Sequence, residues 1–339
     1  MKNDEVFLIA EIGQAHDGSL GILHSYIDAL KDTGIHAIKF QTHIAAAESS
    51  PEEPFRINFS YEDESRQGYW RRMEFSLQEW SEIKKHCENV GLEFLSSPFS
   101  IAAVDLLESI GIGKYKIGSG EITNNLLLDR VGQTKKPVIL SSGMSSFYEI
   151  QDAVNFLIPF GNEVSILQCT TSYPTPSQRV GLNVISELKK KFEGHTIGYS
   201  DHSGNIYAGL AAVASGARIL EFHAVFDKRM FGPDSSSSLN IEQISQLAEG
   251  VKFINEAILN PIDKNDVSEY IDSKRIFQKS LSVNKELAAG HIIRKEDLES
   301  KKPANTGINA RDFSKVVGKK LKLNLAQYSF LKYEHIEWK

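Results

Sequence analysis

The chain has 339 residues, 41% of them hydrophobic and 24% charged, ordinary values for a folded protein with a sizeable core and poor ones for wholesale disorder. The net charge of -6 gives no reason to expect nucleic-acid binding, and no apolar run approaches the ~18 residues of a membrane span. Two cysteines, Cys87 and Cys169, are too few for a disulfide framework, and the apolar run at 6–10 is too short for a signal-peptide core; a cytoplasmic protein with no nucleic-acid or membrane partner is the expectation.

In chain order, the first β-prone run spans 7–13 and carries Glu11. A helical pattern follows over 19–33. The second run, 37–43, alternates so that Lys39, Gln41 and His43 share one face. Residues 44–75 form a long connection rich in Ser, Pro, Glu and aromatics, of the kind that becomes a lid or binding loop or else a packed surface excursion. A helix at 76–90 leads to a third run at 93–100, ending in Ser97 and Pro98. The fourth, 114–121, holds Lys116, Ser119 and Glu121. The fifth, 137–143, ends in Ser141-Ser142-Gly143, and a helix covers 147–158. The sixth, 164–173, includes Thr171 and Tyr173. The seventh, 195–202, brings Ser200 and His202, and a helix spans 205–215. The eighth, 217–225, carries Glu221 and His223. A turn-rich loop with Asp234 then enters a last helix at 241–259, for which Asn240 or a late serine is a candidate N-cap.

Strands alternating with helices imply parallel βαβ units, and eight of them predict a TIM barrel over 1–260. A doubly wound sheet is the competing fold, but its GxGxxG fingerprint is missing after the first run, which reads Glu11-Ile12-Gly13-Gln14-Ala15-His16. A polar stretch at 261–280 reads as a linker. Residues 281–339 carry a net charge of +5 against -11 for the rest, which marks a second domain.

Each run turns polar near its C-terminal end, the rim where TIM barrels hold their sites. Any one such residue is explained as a helix cap or a solvated strand end; eight on one rim are harder to explain so. Lys39 and Lys116, with Ser97, Ser119, Ser142 and Ser200, suit a small anion carrying phosphate and carboxylate. His202 and His223, on adjacent strands, suit a divalent transition metal or are satisfied by core hydrogen bonds. Glu11, Glu121 and Asp234 are carboxylates able to move protons or hold hydroxyls.

The ordered series Lys39-Phe40-Gln41-Thr42-His43, Ser97-Pro98-Phe99, Lys116-Ile117-Gly118-Ser119-Gly120-Glu121, Ser142-Gly143-Met144, Tyr173-Pro174-Thr175-Pro176, Ser200-Asp201-His202 and Gly232-Pro233-Asp234 resembles the bacterial sialic acid synthases. The resemblance implies a TIM barrel that joins phosphoenolpyruvate to N-acetylmannosamine, or a related acylamino sugar, and releases phosphate. It also implies a C-terminal antifreeze-like (SAF) domain that reaches the partner's site in a swapped homodimer. By position, Lys39, Ser97, Lys116 and Ser119 would hold phosphoenolpyruvate, with Ser142, Thr171 and Ser200 near its phosphate. His202 and His223 would hold Mn²⁺, or Mg²⁺ or Co²⁺. Glu11, Gln41, Tyr173 and Asp234 would face the sugar or the attacking water, and Glu121 would assist proton movement. Two positions depart from the family's habit: Ala15 stands where Asn is frequent, and Lys302 where an Arg usually meets the sugar's acyl group. Legionaminic- or pseudaminic-type synthesis, a Schiff-base aldolase and a barrel that binds an anionic sugar without turnover are the other readings.

Overall fold

Short runs rich in branched and aromatic residues form eight parallel strands in a computed structural model that describes residues 5–57 and 59–338. They are β1 Phe7–Glu11, β2 Ala37–Thr42, β3 Glu93–Pro98, β4 Tyr115–Ile117, β5 Val138–Ser141, β6 Val164–Cys169, β7 Thr196–Asp201 and β8 Ile219–His223. Each pairs with its sequence neighbours, and β1 closes onto β8 with Phe7 opposite Ile219 and Glu11 opposite His223. The result is the expected closed α/β barrel.

The helices are α1 Leu20–Leu30, α2 Ala45–Glu48, α3 Arg66–Met73, α4 Leu77–Asn89, α5 Ile101–Ser109, α6 Asn125–Gln133, α7 Phe147–Leu157, α8 Leu182–Lys191, α9 Ile206–Ala214 and α10 Ile241–Leu259. Small polar caps start most of them. Ser19, Ser100, Asn124 and Asn205 each accept a backbone N–H of the first turn. Ser76, Ser146 and Asn240 complete reciprocal capping boxes with Glu79, Glu149 and Gln243. Each cap is worth ~1 kcal/mol and fixes where a loop ends and its helix begins. Asn240, rather than a late serine, caps α10.

The period of two along a strand sorts each run into an outer and an inner face. Outward residues such as Phe40, Phe94, Tyr115, Tyr199 and Phe222 pack in the main core under the helices. Phe7, Ile9, Ala37, Leu95, Ile139, Leu167 and Ile219 form a separate cluster inside the barrel. Several strands are shorter than the runs the sequence suggests, and for the fourth and sixth the residues show why. β4 stops at Ile117, because Gly118 and Gly120 favour a turn that Glu121 closes by donating its N–H to Gly118 O at 2.9 Å. β6 stops at Cys169, ahead of a loop with Pro174 and Pro176, so Thr171 and Tyr173 lie beyond the strand.

The described residues of the 44–75 connection pack among themselves. The connection holds α2 and α3, and Ala45, Tyr69, Trp70 and Met73 form a small buried cluster backed by Phe55 and Phe59. No helix of the described residues is long and apolar enough to cross a membrane.

The chain divides into two units, Met1–Asn260 and Pro261–Lys339. The second holds α11 Ile271–Phe277, inside the stretch expected to be linker, then β9 Ser280–Val283, β10 Leu298–Lys301, α12 Phe313–Val316, β11 Lys320–Leu321 and β12 Ile336–Glu337. β9 pairs antiparallel with β10, and β11 with β12. Its own core includes Leu281, Val283, Leu287, Ile308, Leu325 and Leu331. Asp297, buried, accepts from Lys285 Nζ at 2.7 Å, from the His291 ring at 2.7 Å and from Arg294 N at 2.9 Å.

Inside the barrel, Gly198 makes room for its neighbours. A Cβ there would lie 2.4 Å from Leu167 Cδ2 and 2.5 Å from the Ile219 carbonyl oxygen. The leucine can turn away, but the β8 backbone cannot. Gly198→Ala is expected to lower stability by ~1–3 kcal/mol, the usual cost of overpacking. A urea-midpoint shift below 0.5 kcal/mol equivalent, on the order of a neutral surface change, would show that the layer yields.

Candidate active site

One inward residue per strand builds the layer above the apolar cluster. They are Glu11, Lys39, Ser97, Lys116, Ser141, Cys169, Ser200 and Glu221, all buried. The register explains their meeting, since Glu11 is the Cα partner of Lys39 on one side and His223 on the other, and Ser200 is that of Glu221.

Four of these residues carry charge. Lys39 ion-pairs with Glu11 and donates to Ser97 Oγ at 3.3 Å. Lys116 donates to Ser141 Oγ at 2.6 Å and lies 3.3 Å from Glu221 Oε1, which also accepts from Ser200 Oγ at 3.0 Å. Their side chains are 1–5% exposed, so the two lysines and two carboxylates must neutralise one another. They do so unequally. Burial would raise the Glu221 pKa, but Lys116 and Lys39 outweigh it and hold it down at about 2. For Glu11 burial wins over Lys39, the Glu221 charge adds to it, and the pKa is pushed above the ordinary carboxylate range. Lys39 stays firmly charged, with Glu11 and Glu221 more than offsetting its burial, whereas burial pulls Lys116 down. The layer therefore holds one fixed carboxylate and one poised to take a proton, a division typical of acid–base sites.

Further out, Glu11 accepts from Gln41 Nε2 at 2.9 Å, and Gln41 Oε1 accepts from Gln14. A Cβ on Gly13, whose φ is +53°, would stand 3.4 Å from Glu11 Oε1, 3.6 Å from His223 Nδ1 and 3.7 Å from Gln41 Nε2, so these three groups converge. His202 and His223 have ring centroids 5.2 Å apart, with Tyr173 4.1 Å from the first and 6.1 Å from the second. His202 Nδ1 faces the Thr170 carbonyl at 3.0 Å; a carbonyl only accepts, so Nδ1 carries the proton and Nε2 keeps its lone pair. Burial lowers both histidines, His202 to about 4, so both are neutral at pH 7. Two neutral imidazoles on adjacent strand ends are a fitting pair of ligands for a divalent ion. Among the described residues no group of three or more His, Cys, Asp or Glu side chains is arranged for a metal, so the remaining positions would fall to substrate and water.

Ser119 Oγ accepts from Gly143 N at 3.0 Å. Thr171 Oγ1 is buried without a hydrogen-bond partner and would be 2.3 Å from a Cβ on Gly143, which leaves an anion an unused hydroxyl beside an uncovered backbone. Ser142 donates to Leu167 O at 2.9 Å and spends its proton there; Ser141, one residue earlier and of opposite parity, joins the lysine. Glu121 stands apart from the lysine layer. It accepts from Asn124 Nδ2 at 2.7 Å, and burial raises its pKa. Asp234 pairs with Arg56 at 2.6 Å, and the Arg56 guanidinium lies 4.0 Å over the Tyr173 ring. Lys302 belongs to the second unit, where it is exposed with its ammonium 5.1 Å over Phe277. Ser141, Glu221 and Arg56 were not among the expected site residues.

A cavity of about 1120 Å³ opens at the opposite mouth, lined by strand starts such as Phe7, Ile139, Thr196 and Ile219. None of the expected site residues lines it, and chemistry follows the charged layer rather than the larger void.

The barrel and the small second unit each match a known family. Residues 26–262 match the NeuB family and residues 278–337 the SAF domain. The chain belongs to the NeuB family. It is 35% identical to the N,N'-diacetyllegionaminic acid synthase of Campylobacter jejuni over 93% of this chain and 95% of that protein. The human N-acetylneuraminate-9-phosphate synthase is 31% identical over 93% of this chain and 88% of its own. The N-acetylneuraminic acid synthetase of Leptospira borgpetersenii, solved with citrate, superposes with a TM-score of 0.71 at 31% identity, covering 80% of this chain and 91% of that one.

The charged layer can be checked directly. Lys116→Met and Glu221→Gln should be less than additive in stability by ~0.5–3 kcal/mol. A carboxylate whose folded pKa is depressed keeps its stabilising effect above the unfolded value and loses it only as pH falls through the folded one. With Glu221 held at about 2, the coupling should persist at pH 4. Additivity in urea titrations at pH 7 would dissolve the pair.

Proposed function

We propose that the protein condenses phosphoenolpyruvate with an open-chain acylamino sugar and water, giving a nonulosonic acid and phosphate. The observation that carries this reading is the buried layer with Lys39 and Lys116, each held by a carboxylate, directly beneath two neutral histidines. A trianionic substrate supplies the charge those lysines otherwise take from Glu11 and Glu221. N-acetylmannosamine is one candidate acceptor; a diacetamido sugar is the other, and the likeness to the N,N'-diacetyllegionaminic acid synthases of Campylobacter jejuni and Legionella pneumophila, 35% and 32% identical, supports it.

In this reading Lys39, Lys116, Ser97 and Ser119 hold phosphoenolpyruvate, with Thr171 and Ser200 toward its phosphate. Carbon 3 attacks the aldehyde carbon, and the aldehyde oxygen takes a proton to become a hydroxyl. Water adds at carbon 2 and gives up its proton, the carbon–oxygen bond to phosphate breaks, and loss of the second proton leaves the ketone. Glu11, raised by burial and hydrogen-bonded to Gln41, suits acceptance of the water's proton. Gln41, Tyr173 and Asp234 position the sugar, and Glu121, its pKa raised by burial, assists proton movement. His202 and His223 would hold Mn²⁺ or a similar ion, whose Lewis acidity polarises the aldehyde oxygen. A Schiff-base aldolase would instead need an unpaired lysine; Lys39 is ion-paired and held charged, and Lys116, although burial lowers its pKa, donates to Ser141 Oγ at 2.6 Å and lies 3.3 Å from the Glu221 carboxylate.

The test is phosphate release from phosphoenolpyruvate with a panel of acylamino sugars, and product mass. His202→Ala and His223→Ala should lose turnover with an unchanged circular-dichroism spectrum. Full activity after exhaustive chelation would remove the metal from the scheme, and borohydride trapping of a pyruvate adduct would replace the condensation with an aldolase.

We also propose that the second unit completes a partner's site in a swapped homodimer, with Lys302 reaching the sugar. Mixing inactive Lys302→Glu with inactive His202→Ala under subunit exchange should restore activity, because one site of each heterodimer is then whole. No recovery despite demonstrated exchange would contradict the swap.

A further inference from the structure

The long connection after β2 delivers one arginine to the mouth of the site. Arg56 Nη2 lies 2.6 Å from Asp234 Oδ1 and 3.5 Å from Pro233 O, and its guanidinium stacks 4.0 Å over Tyr173. The Tyr173 ring in turn lies 4.1 Å from that of His202, tilted by 33°. The lysines and carboxylates of the layer are 1–5% exposed, Asp234 is 16% and Arg56 40%. The polar groups thus run from a closed interior to an open mouth, and an acceptor whose aldehyde lies at the histidines has its far end at Arg56.

The charge state there is specific. Arg56 and Asp234 cancel, so the mouth offers spare N–H donors without net positive charge. Such a pair favours a neutral acceptor atom, for instance an amide carbonyl, whereas a phosphate would meet the Asp234 carboxylate. Phe59 and Phe231, with ring centroids 5.5 Å apart, join the same two loops, the one that carries Arg56 and the one that carries Asp234.

We infer that Arg56 is a specificity-determining residue that reads the end of the acceptor remote from its aldehyde, donating to a neutral acylamido carbonyl and, through its pairing with Asp234, turning away a phosphorylated end. The inference rests on the condensation reading above. Arg56 is the donor, and Asp234 sets its charge.

The experiment compares full-length wild type, Arg56→Ala and Arg56→Lys with manganese, using a 2,4-diacetamido hexose, N-acetylmannosamine and its 6-phosphate as acceptors. Phosphate release and direct acceptor binding by calorimetry are both recorded. Arg56→Ala should lower kcat/KM for the diacetamido sugar at least tenfold more than for N-acetylmannosamine, with KM for phosphoenolpyruvate unmoved. Arg56→Lys should behave alike, because a point charge cannot serve Asp234 and a carbonyl together as a planar fork does. Asp234→Asn, which exposes the cation, should shift preference toward the phosphorylated sugar. Equal losses for every acceptor, or none, would reduce Arg56 to a loop anchor and overturn the assignment while phosphate release stands. Tighter diacetamido binding to wild type than to Arg56→Ala without phosphate release would overturn the condensation and keep the assignment. Neither binding nor release would end both.

Discussion

Two lysines and two carboxylates sit in one layer of a barrel with almost no access to water. Each of these charges would cost several kcal/mol alone in that environment, and each is tolerated because the others and a ring of hydroxyls answer it. The condition is geometric. It needs a closed barrel, because only closure brings β1 beside β8 and lets Glu11 stand between Lys39 and His223. It also needs strict inward parity on every strand, which the apolar cluster beneath secures.

From that constraint the acid–base character follows. Equivalent surroundings would give two ordinary carboxylates. Here Glu221 lies against Lys116 and is helped by the Ser200 hydroxyl, while Glu11 shares Lys39 and meets the field of Glu221. Burial and the same four charges therefore push the two carboxylates apart, Glu221 below the ordinary carboxylate range and Glu11 above it. A ligand richer in negative charge than either carboxylate would redistribute both lysines, which links the resting arrangement to the reaction assigned to it.

Much of this was legible before any coordinates. Alternation of apolar runs with helical periods carried the barrel, and the polar ends carried Lys39, Lys116, His202 and His223, because strand parity and rim position are local properties. The parts that escaped are not local. Ser141 and Ser142 are adjacent and chemically identical, and only the register of β5 against β6 decides which turns inward. Glu221 sits two residues from His223 on a buried strand, and its worth depends on a lysine four strands away. Arg56 lies in a loop without periodicity and finds Asp234 across 178 residues of sequence. Strand four looked longer than it is, because Ser119 and Glu121 continue its alternation into a glycine turn.

The 44–75 connection carries its own small core of Tyr69, Trp70 and Met73, and it is tied to the barrel by a few side chains such as His43, stacked 4.0 Å on Trp70, and Arg72, paired to Asp17. A segment built this way is a cassette. Its residues facing the barrel mouth, Arg56 among them, are held by a core of its own, and its link to the charged layer runs through a chain of contacts, from Trp70 to His43, Gln41 and Glu11. A change of the sugar accepted at Arg56 can therefore be made in an insert with its own core, leaving the eight strands and their inward parity as they are.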